Sequence, residues 1–213
     1  MSVGRDFDGL VSVLRGADDL TSALRAVMTP GRWRHSEAAG RLAGDLAARY
    51  RCDEAEIVRR AALLHDVGRT LPPEALAHIV DWGGWPPDEY ERAAGPALIH
   101  GPAGAAVAAA LGLANEAAAA IRFHVAGREG LTLTDKIVMA ADAAEKTRPY
   151  PWAEAARRAL DESLDLCVAF WVTLKSEQVR AAGRAVHPRS RQTLASLGQE
   201  VTTRARLLAA PFL

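Results

Sequence analysis

Four of the six histidines in this 213-residue chain sit where an imidazole is costly unless it has work to do. His35 lies in RHSEAAG, His65 in LLHDVG, His100 in LIHGPAG and His124 in IRFHVAG, and two aspartates join them, Asp66 directly after His65 and Asp142 in VMAADAAE. Most follow apolar residues expected to face a core, and burying an unpaired imidazole or carboxylate there costs roughly 2 to 7 kcal/mol. A divalent cation would satisfy the whole set at once. The donors are nitrogen and oxygen with no thiolate, so iron, manganese or zinc would each fit, with a coordination position left open. A metal held this way supports hydrolysis without a protein nucleophile, because the ion polarises a phosphate oxygen and makes water acidic.

A His-Asp dipeptide alone arises by chance about 0.4 times at this composition, so the ordered series carries the signal. Asp142 stands in a helix interior, a poor position for aspartate unless it is used. His100 and His124 could ligate a second ion, contact a phosphate, or simply hydrogen-bond a backbone carbonyl. His78 has no such surroundings and is assigned to solvent, whereas His187, before a proline and two arginines, could approach a substrate.

Phosphoryl transfer needs further positive charge, and basic residues recur beside the series. Arg32 and Arg34 precede His35, Arg69 follows Asp66, Arg128 follows His124, and Lys146 and Arg148 follow Asp142. Together they favour a local polyphosphate pocket in a chain whose 26 basic and 26 acidic residues cancel. That balance argues against a general attraction to nucleic acid or to an anionic membrane. Trp33, between two arginines, is a candidate for stacking on a base. Cys52 and Cys167 are far apart and fit neither a disulfide framework nor a zinc-cysteine site, so a reducing cytoplasm is the expected setting. The first twenty residues are interrupted by charge, and no long window is both uncharged and apolar, so neither a signal peptide nor a membrane span is expected.

The elements that must position these residues read as helices. Apolar residues recur at helical spacing, alanine is abundant and alternating β-branched runs are missing. The expected fold is all-α, a single domain over residues 1–213. Helices are expected near Phe7 to Leu14 and Leu20 to Met28, the latter capped by Asp18 or Asp19, then one carrying His35. A capping box of Asp53 and Glu56 should open the helix that ends at LLHDVG. Further helices are expected from Pro72 to about Trp82, Asp88 to Ala94, and Ala103 to Leu111 after a kink or fresh start at His100-Gly101-Pro102. Asn115 should cap the helix to His124 and Thr134 the helix to about Glu145. The last three are expected near Trp152 to Asp161, Leu164 to Ala182 and Ser190 to Leu208.

Several stretches, RWRHSEAAGRLAGDLAARY, AALLHDVGR, LIHGPAGA, IRFHVAGREGLTLTDKIVMAAD and AVHPRSRQTLASL, resemble the YqeK family of HD-domain proteins, symmetrical hydrolases of diadenosine tetraphosphate. The likeness spans about residues 20–197. It implies an HD-domain helical bundle and an iron ion bound by His35, His65, Asp66 and Asp142. Asp66, His100 and His124 are implied at the reacting phosphate. A nucleotide substrate or ADP product would touch Arg32, Trp33, Arg34, Asp66, His100, His124, Val125, Arg148, Pro188, Arg189, Ser190 and Arg191. The implied reaction is that of a symmetrical bis(5'-nucleosyl)-tetraphosphatase, giving two ADP. The sequence departs from the family at Arg69, Val125, Ala126, Ala143 and Ala144, which leaves the ligands in place but opens substrate choice. A hydrolase of another nucleotide, a monophosphate or cyclic nucleotide, is one alternative, and a non-catalytic metal- or nucleotide-binding module is another. The apolar tail VTTRARLLAAPFL could pack on a partner subunit, as in a homodimer.

Overall fold

The structure, a computed structural model, describes residues 6–79 and 82–213, and among them the regular elements are helices, with no strand. The all-α expectation is met. α1 (Phe7–Arg15) and α2 (Leu20–Val27) are short N-terminal helices capped by Asp6 and Asp19, whose carboxylates accept from backbone N–H groups of the first turn. α3 (Pro30–Arg49) begins with proline at its first turn, where the missing N–H leaves no bond unmade. It buries Ala39, Ala43, Leu46 and Ala47 against α4 (Ala55–Leu64) and α9 (Leu133–Ala144).

The expected capping box at Asp53 does not form. Glu54 is the cap residue without a side-chain bond, and Glu56 is instead drawn onto Arg59. After α4 the chain passes through His65 and Asp66 into a short 3₁₀ turn, Val67–Thr70. α5 (Pro73–Ala77) stops well before the expected Trp82, with His78 exposed as its C-cap; residues 80–81 of that reading lie outside the described residues. α6 (Glu89–Ala94) starts with a reciprocal capping box between Asp88 and Glu91.

α7 (Pro96–Ala110) runs through Pro102 without the expected break. The reason lies in its neighbours. A Cβ on Gly68 would meet His100 O at 2.2 Å and Gly104 N at 2.8 Å, and one on Gly101 would meet Arg122 O at 2.7 Å. Backbone therefore lies directly on backbone, and α7 is held between the 3₁₀ turn and α8 (Asn115–Phe123). These contacts hold the helix through a residue that would break an isolated one.

α9 is the central element, buried on almost every side chain from Thr134 to Ala144. Its cap is Thr132, paired with Asp135, rather than the expected Thr134, which is buried inside the helix. α10 (Pro151–Glu162) and α11 (Leu164–Ala181) pack on α9 and on each other. The expected helix from Ser190 to Leu208 is two, α12 (Pro188–Ser196) and α13 (Gln199–Ala209), divided at Gly198, where φ is +88°. The tail packs on its own chain. α13 lies on α11 with Ala205 and Ala209 buried, and Phe212 meets Phe170 edge-on at 6.4 Å.

Candidate metal centre and nucleotide cavity

Five elements bring the chemistry together. His35 comes from the second turn of α3, His65 and Asp66 from the end of α4, His100 from α7, His124 from the end of α8, and Asp142 from α9. The backbone fixes the rings before any ligand is considered. His65 Nδ1 faces Ala62 O at 2.7 Å, His124 Nδ1 faces Ile121 O at 2.7 Å, and His100 Nδ1 faces Pro96 O at 3.1 Å. A carbonyl only accepts, so each Nδ1 carries a proton and each ring turns its Nε2 inward. His35 is oriented the same way by Glu145, whose Oε1 lies 2.9 Å from its Nδ1.

Those inward nitrogens converge. His35 and His65 Nε2 are 3.0 Å apart, with Asp142 Oδ1 at 3.0 Å from the first and 3.4 Å from the second. His100 and His124 Nε2 are 3.1 Å apart, and Asp66 Oδ1 is 3.5 Å from His100 and 4.0 Å from His65. His65, Asp66 and His124 also offer ligand atoms within 4.8 Å of one another. Lone pairs and carboxylate oxygens packed this closely repel unless positive charge sits among them. The residues therefore fit a divalent cation, and the nitrogen-oxygen donor set is the one expected for it.

Without an ion, protons and arginines supply that charge. Burial opposes protonation of His35, but its hydrogen bonds to Asp142 and Glu145 carry its pKa up to about 9. Burial likewise opposes ionisation of Asp142, yet Arg148, His35 and His65 hold its carboxyl well below the usual range. The Arg148 guanidinium reaches Asp142 Oδ1 and lies 3.4 Å from His35 Nε2. Asp66 is also kept ionised against burial by His65, His100 and Arg69, the last bonded to it at 2.6 Å. Burial pushes His124 down to about 4 and His100 well below its ordinary value.

A cavity of about 640 Å³ opens over this centre, within the size range of small-molecule sites. Of the sequence candidates, Arg32, His35, Asp66, His124, Val125, Asp142, Arg148 and Ser190 line it. His65 and His100 do not line it and are buried. Trp33, Arg34, Pro188, Arg189 and Arg191 do not line it either. Trp33 is packed into the core, while Arg34 and Arg191 are exposed. Arg189 is turned away for an electrostatic reason. Its guanidinium is taken by Glu91 at 2.5 Å and Asp88 at 2.9 Å. Glu91 also binds Arg122 at 3.0 Å, and His187 donates from Nε2 to Asp88 at 2.9 Å while Nδ1 accepts from the Arg189 amide. This network ties the start of α12 to α6 and α8 and places His187 in the cavity wall. Although Asp88, Glu91 and His187 have the spacing of a metal triad, two arginines and a ring proton already neutralise them.

Several lining residues were not among the sequence candidates: Tyr90 and Leu98 around α6 and α7, and Trp171, Lys175 and Gln178 on α11. Only the four-residue spacing of Trp171 and Lys175, which shares one helical face, would have drawn attention to them. Glu145, three residues after Asp142, carried a similar cue. A separate cavity of about 800 Å³ between α1 and α7, lined by residues such as Phe7, Arg15 and Ala106, contains none of the histidines.

Comparison with known proteins places this arrangement among hydrolases. A family model described as HD domain matches residues 32–147. The chain is 30% identical over 152 residues, 70% of its own length and 79% of the relative's, to a symmetrical bis(5'-nucleosyl)-tetraphosphatase of Bacillus subtilis. It is 33% identical over 142 residues, 61% of its length and 69% of the relative's, to a protein of the same description from Halalkalibacterium halodurans. Its fold is similar to the crystal structure of a predicted HD superfamily hydrolase involved in NAD metabolism from Clostridium acetobutylicum. The TM-score is 0.75 at 28% identity, with 83% of this chain and 94% of that one covered.

Proposed function

Because the chain belongs to the HD domain family, we propose that it hydrolyses a dinucleoside tetraphosphate at its centre, diadenosine tetraphosphate giving two ADP. One observation carries this reading: four inward Nε2 atoms and two aspartates converge at the base of a cavity whose walls bear Arg32, Arg69, Arg148 and Lys175. His35, His65, Asp66 and Asp142 would hold the ion, which we assign as iron, manganese and zinc suiting the same donors. When bound, the ion supplies Lewis acidity to a phosphate oxygen and an acidified water.

The protein's own groups do the rest. Arg69 and Arg32 form a relay beside Asp66, since Arg32 donates to Arg69 O at 2.8 Å while Arg69 holds Asp66. Asp66, kept ionised, accepts a hydrogen bond from the attacking water and orients it. His124, neutral in the cavity wall, offers a lone pair to that water or to a hydroxylated phosphate. The departing ADP is a phosphate anion and needs little protonation, so charge stabilisation by Arg148 and Arg32 outweighs general acid catalysis here. Residues around Val125 and Ser190 would meet the nucleoside. Two free cysteines accord with a reducing cytoplasm, and the neutral net charge with a small nucleotide rather than a nucleic acid as partner.

The test combines metal analysis of the purified protein with product identification from diadenosine tetraphosphate. ADP as sole nucleotide product is expected, abolished in His65→Ala and Asp66→Ala. Release of AMP with ATP, or turnover of nucleoside monophosphates alone, would overturn the assignment.

A further inference from the structure

Two cations share one pair of tryptophans, Trp152 of α10 and Trp171 of α11, the latter in the cavity wall. Arg148 lies 5.4 Å from the Trp152 ring centroid and 5.3 Å from that of Trp171, and Lys175 Nζ lies 5.3 Å and 4.3 Å from the same two rings. The similarity ends there. Arg148 is committed to Asp142 and the metal centre, whereas among the described residues no acidic side chain forms an ion pair with Lys175. Among the described residues, its ammonium has only the neutral Gln178 Oε1 at 3.3 Å as hydrogen-bond acceptor.

An ammonium half removed from water and left without a carboxylate is a costly arrangement unless an anion completes it. The indole faces offset part of that cost through their negative quadrupole but leave the N–H groups free to donate. Burial, aided by the positive charge of Arg148 and Arg69 and opposed by Asp142, pushes the Lys175 ammonium down to about 8, the direction expected of a cation awaiting its partner. Arg148 and Lys175 both line the cavity and lie over the same two rings. With Arg148 engaged at Asp142, a second phosphate of the same chain would fall to Lys175.

We propose that Lys175, propped on Trp152 and Trp171, is an anion subsite for phosphates one step removed from the reacting phosphorus, so that it reads the length of a polyphosphate chain. The proposal rests on the polyphosphate reading above only for the class of ligand. Its nature is electrostatic: the ammonium donates charge-assisted N–H···O bonds to phosphate oxygens, and no covalent step is involved.

Calorimetric titration of the metal-loaded full-length protein with tripolyphosphate and, separately, orthophosphate tests it. Lys175→Met, which keeps the stem against the indoles, should weaken tripolyphosphate at least about tenfold and leave orthophosphate within about twofold. Lys175→Arg should bind tripolyphosphate nearly as the parent does. Lys175→Gln serves as a second neutral variant, with thermal unfolding checking that each protein folds. Equal weakening of both anions, unchanged tripolyphosphate binding in the neutral variants, or no tripolyphosphate binding by the parent protein would overturn the subsite. Lys175-dependent binding without diadenosine tetraphosphate turnover would remove the proposed function and leave the subsite standing. Turnover with Lys175-independent binding would do the reverse.

Discussion

Acidifying the metal-free protein forces a proton towards imidazoles that the fold keeps neutral. Burial holds His124 near 4 and His100 below its ordinary 6.5, while both titrate near 6.5 in an unfolded chain. A depressed histidine pKa means the unfolded state binds more protons between these values. These two rings therefore cost no stability above about pH 6.5 and destabilise the fold progressively as pH drops towards 4. With Nε2 atoms 3.1 Å apart, one proton enters the pair first and hinders the second. For that single proton, a shift from 6.5 to about 4 at about 1.36 kcal/mol per unit gives roughly 3 kcal/mol, or about 6 to 12 °C in Tm for a chain of this size. The depressed carboxyls of Asp66 and Asp142 give way only at lower pH, below the ordinary 3.8. Urea unfolding of chelator-treated protein at steps from about pH 7 to about pH 4.5 measures the slope. The comparison is the double variant His100→Asn and His124→Asn, whose amides retain a donor towards Pro96 and Ile121 carbonyls. It should lose most of the acid slope. An identical slope in both proteins would refute the assignment of buried neutral rings.

His35 acts on the opposite side. Its pKa rises to about 9, so in chelator-treated protein its contribution is complete below about pH 6.5 and is lost as pH rises through 9; His35→Gln should flatten that alkaline decline in thermal melts. Gly68→Ala drives a Cβ onto the backbone of His100 and Gly104 and should cost at least about 1 to 3 kcal/mol; denaturant midpoints equal to the parent's would contradict the close contact. Glu91→Gln leaves the charges of Arg122 and Arg189 short of a partner in a buried network and should cost roughly 3 kcal/mol, a loss below about 1 kcal/mol counting against it. Asp142→Asn should lower bound metal and reduce kcat/KM at least about a hundredfold, read by elemental analysis beside initial rates.

Helical periodicity made the architecture legible because it records which side of each helix meets the core, and α1, α2, α6 and α8 to α11 lie near where the pattern puts them. Boundaries decided by competition were harder. Asp53 and Glu56 spell a capping box, but Arg59 offers Glu56 a charged partner, and Thr132 is the cap because Asp135 stands three residues on to pair with it, whereas the residue three beyond Thr134 is Ile137. Pro102 looked like a break because local sequence does not contain the backbone contacts at Gly68 and Gly101. In the site, side chains announced by chemistry, the histidines and aspartates, were visible from their spacing. Lys175 and Tyr90 were not, since nothing local distinguishes a lysine or tyrosine facing a cavity from one facing solvent. Arg189 looked like a phosphate contact for the same reason; its acidic partners lie about a hundred residues earlier, at Asp88 and Glu91.

The glycine contacts beneath the histidines also constrain how this protein can diverge. Where main chain touches main chain across Gly68 and Gly101, the close approach leaves little for side-chain substitution to adjust, so the spacing of His65, His100 and His124 rests on a rigid platform. Any drift in preferred nucleotide must then arise higher up, in α11 and the approach to α12, where substitutions can reshape the walls without disturbing the floor.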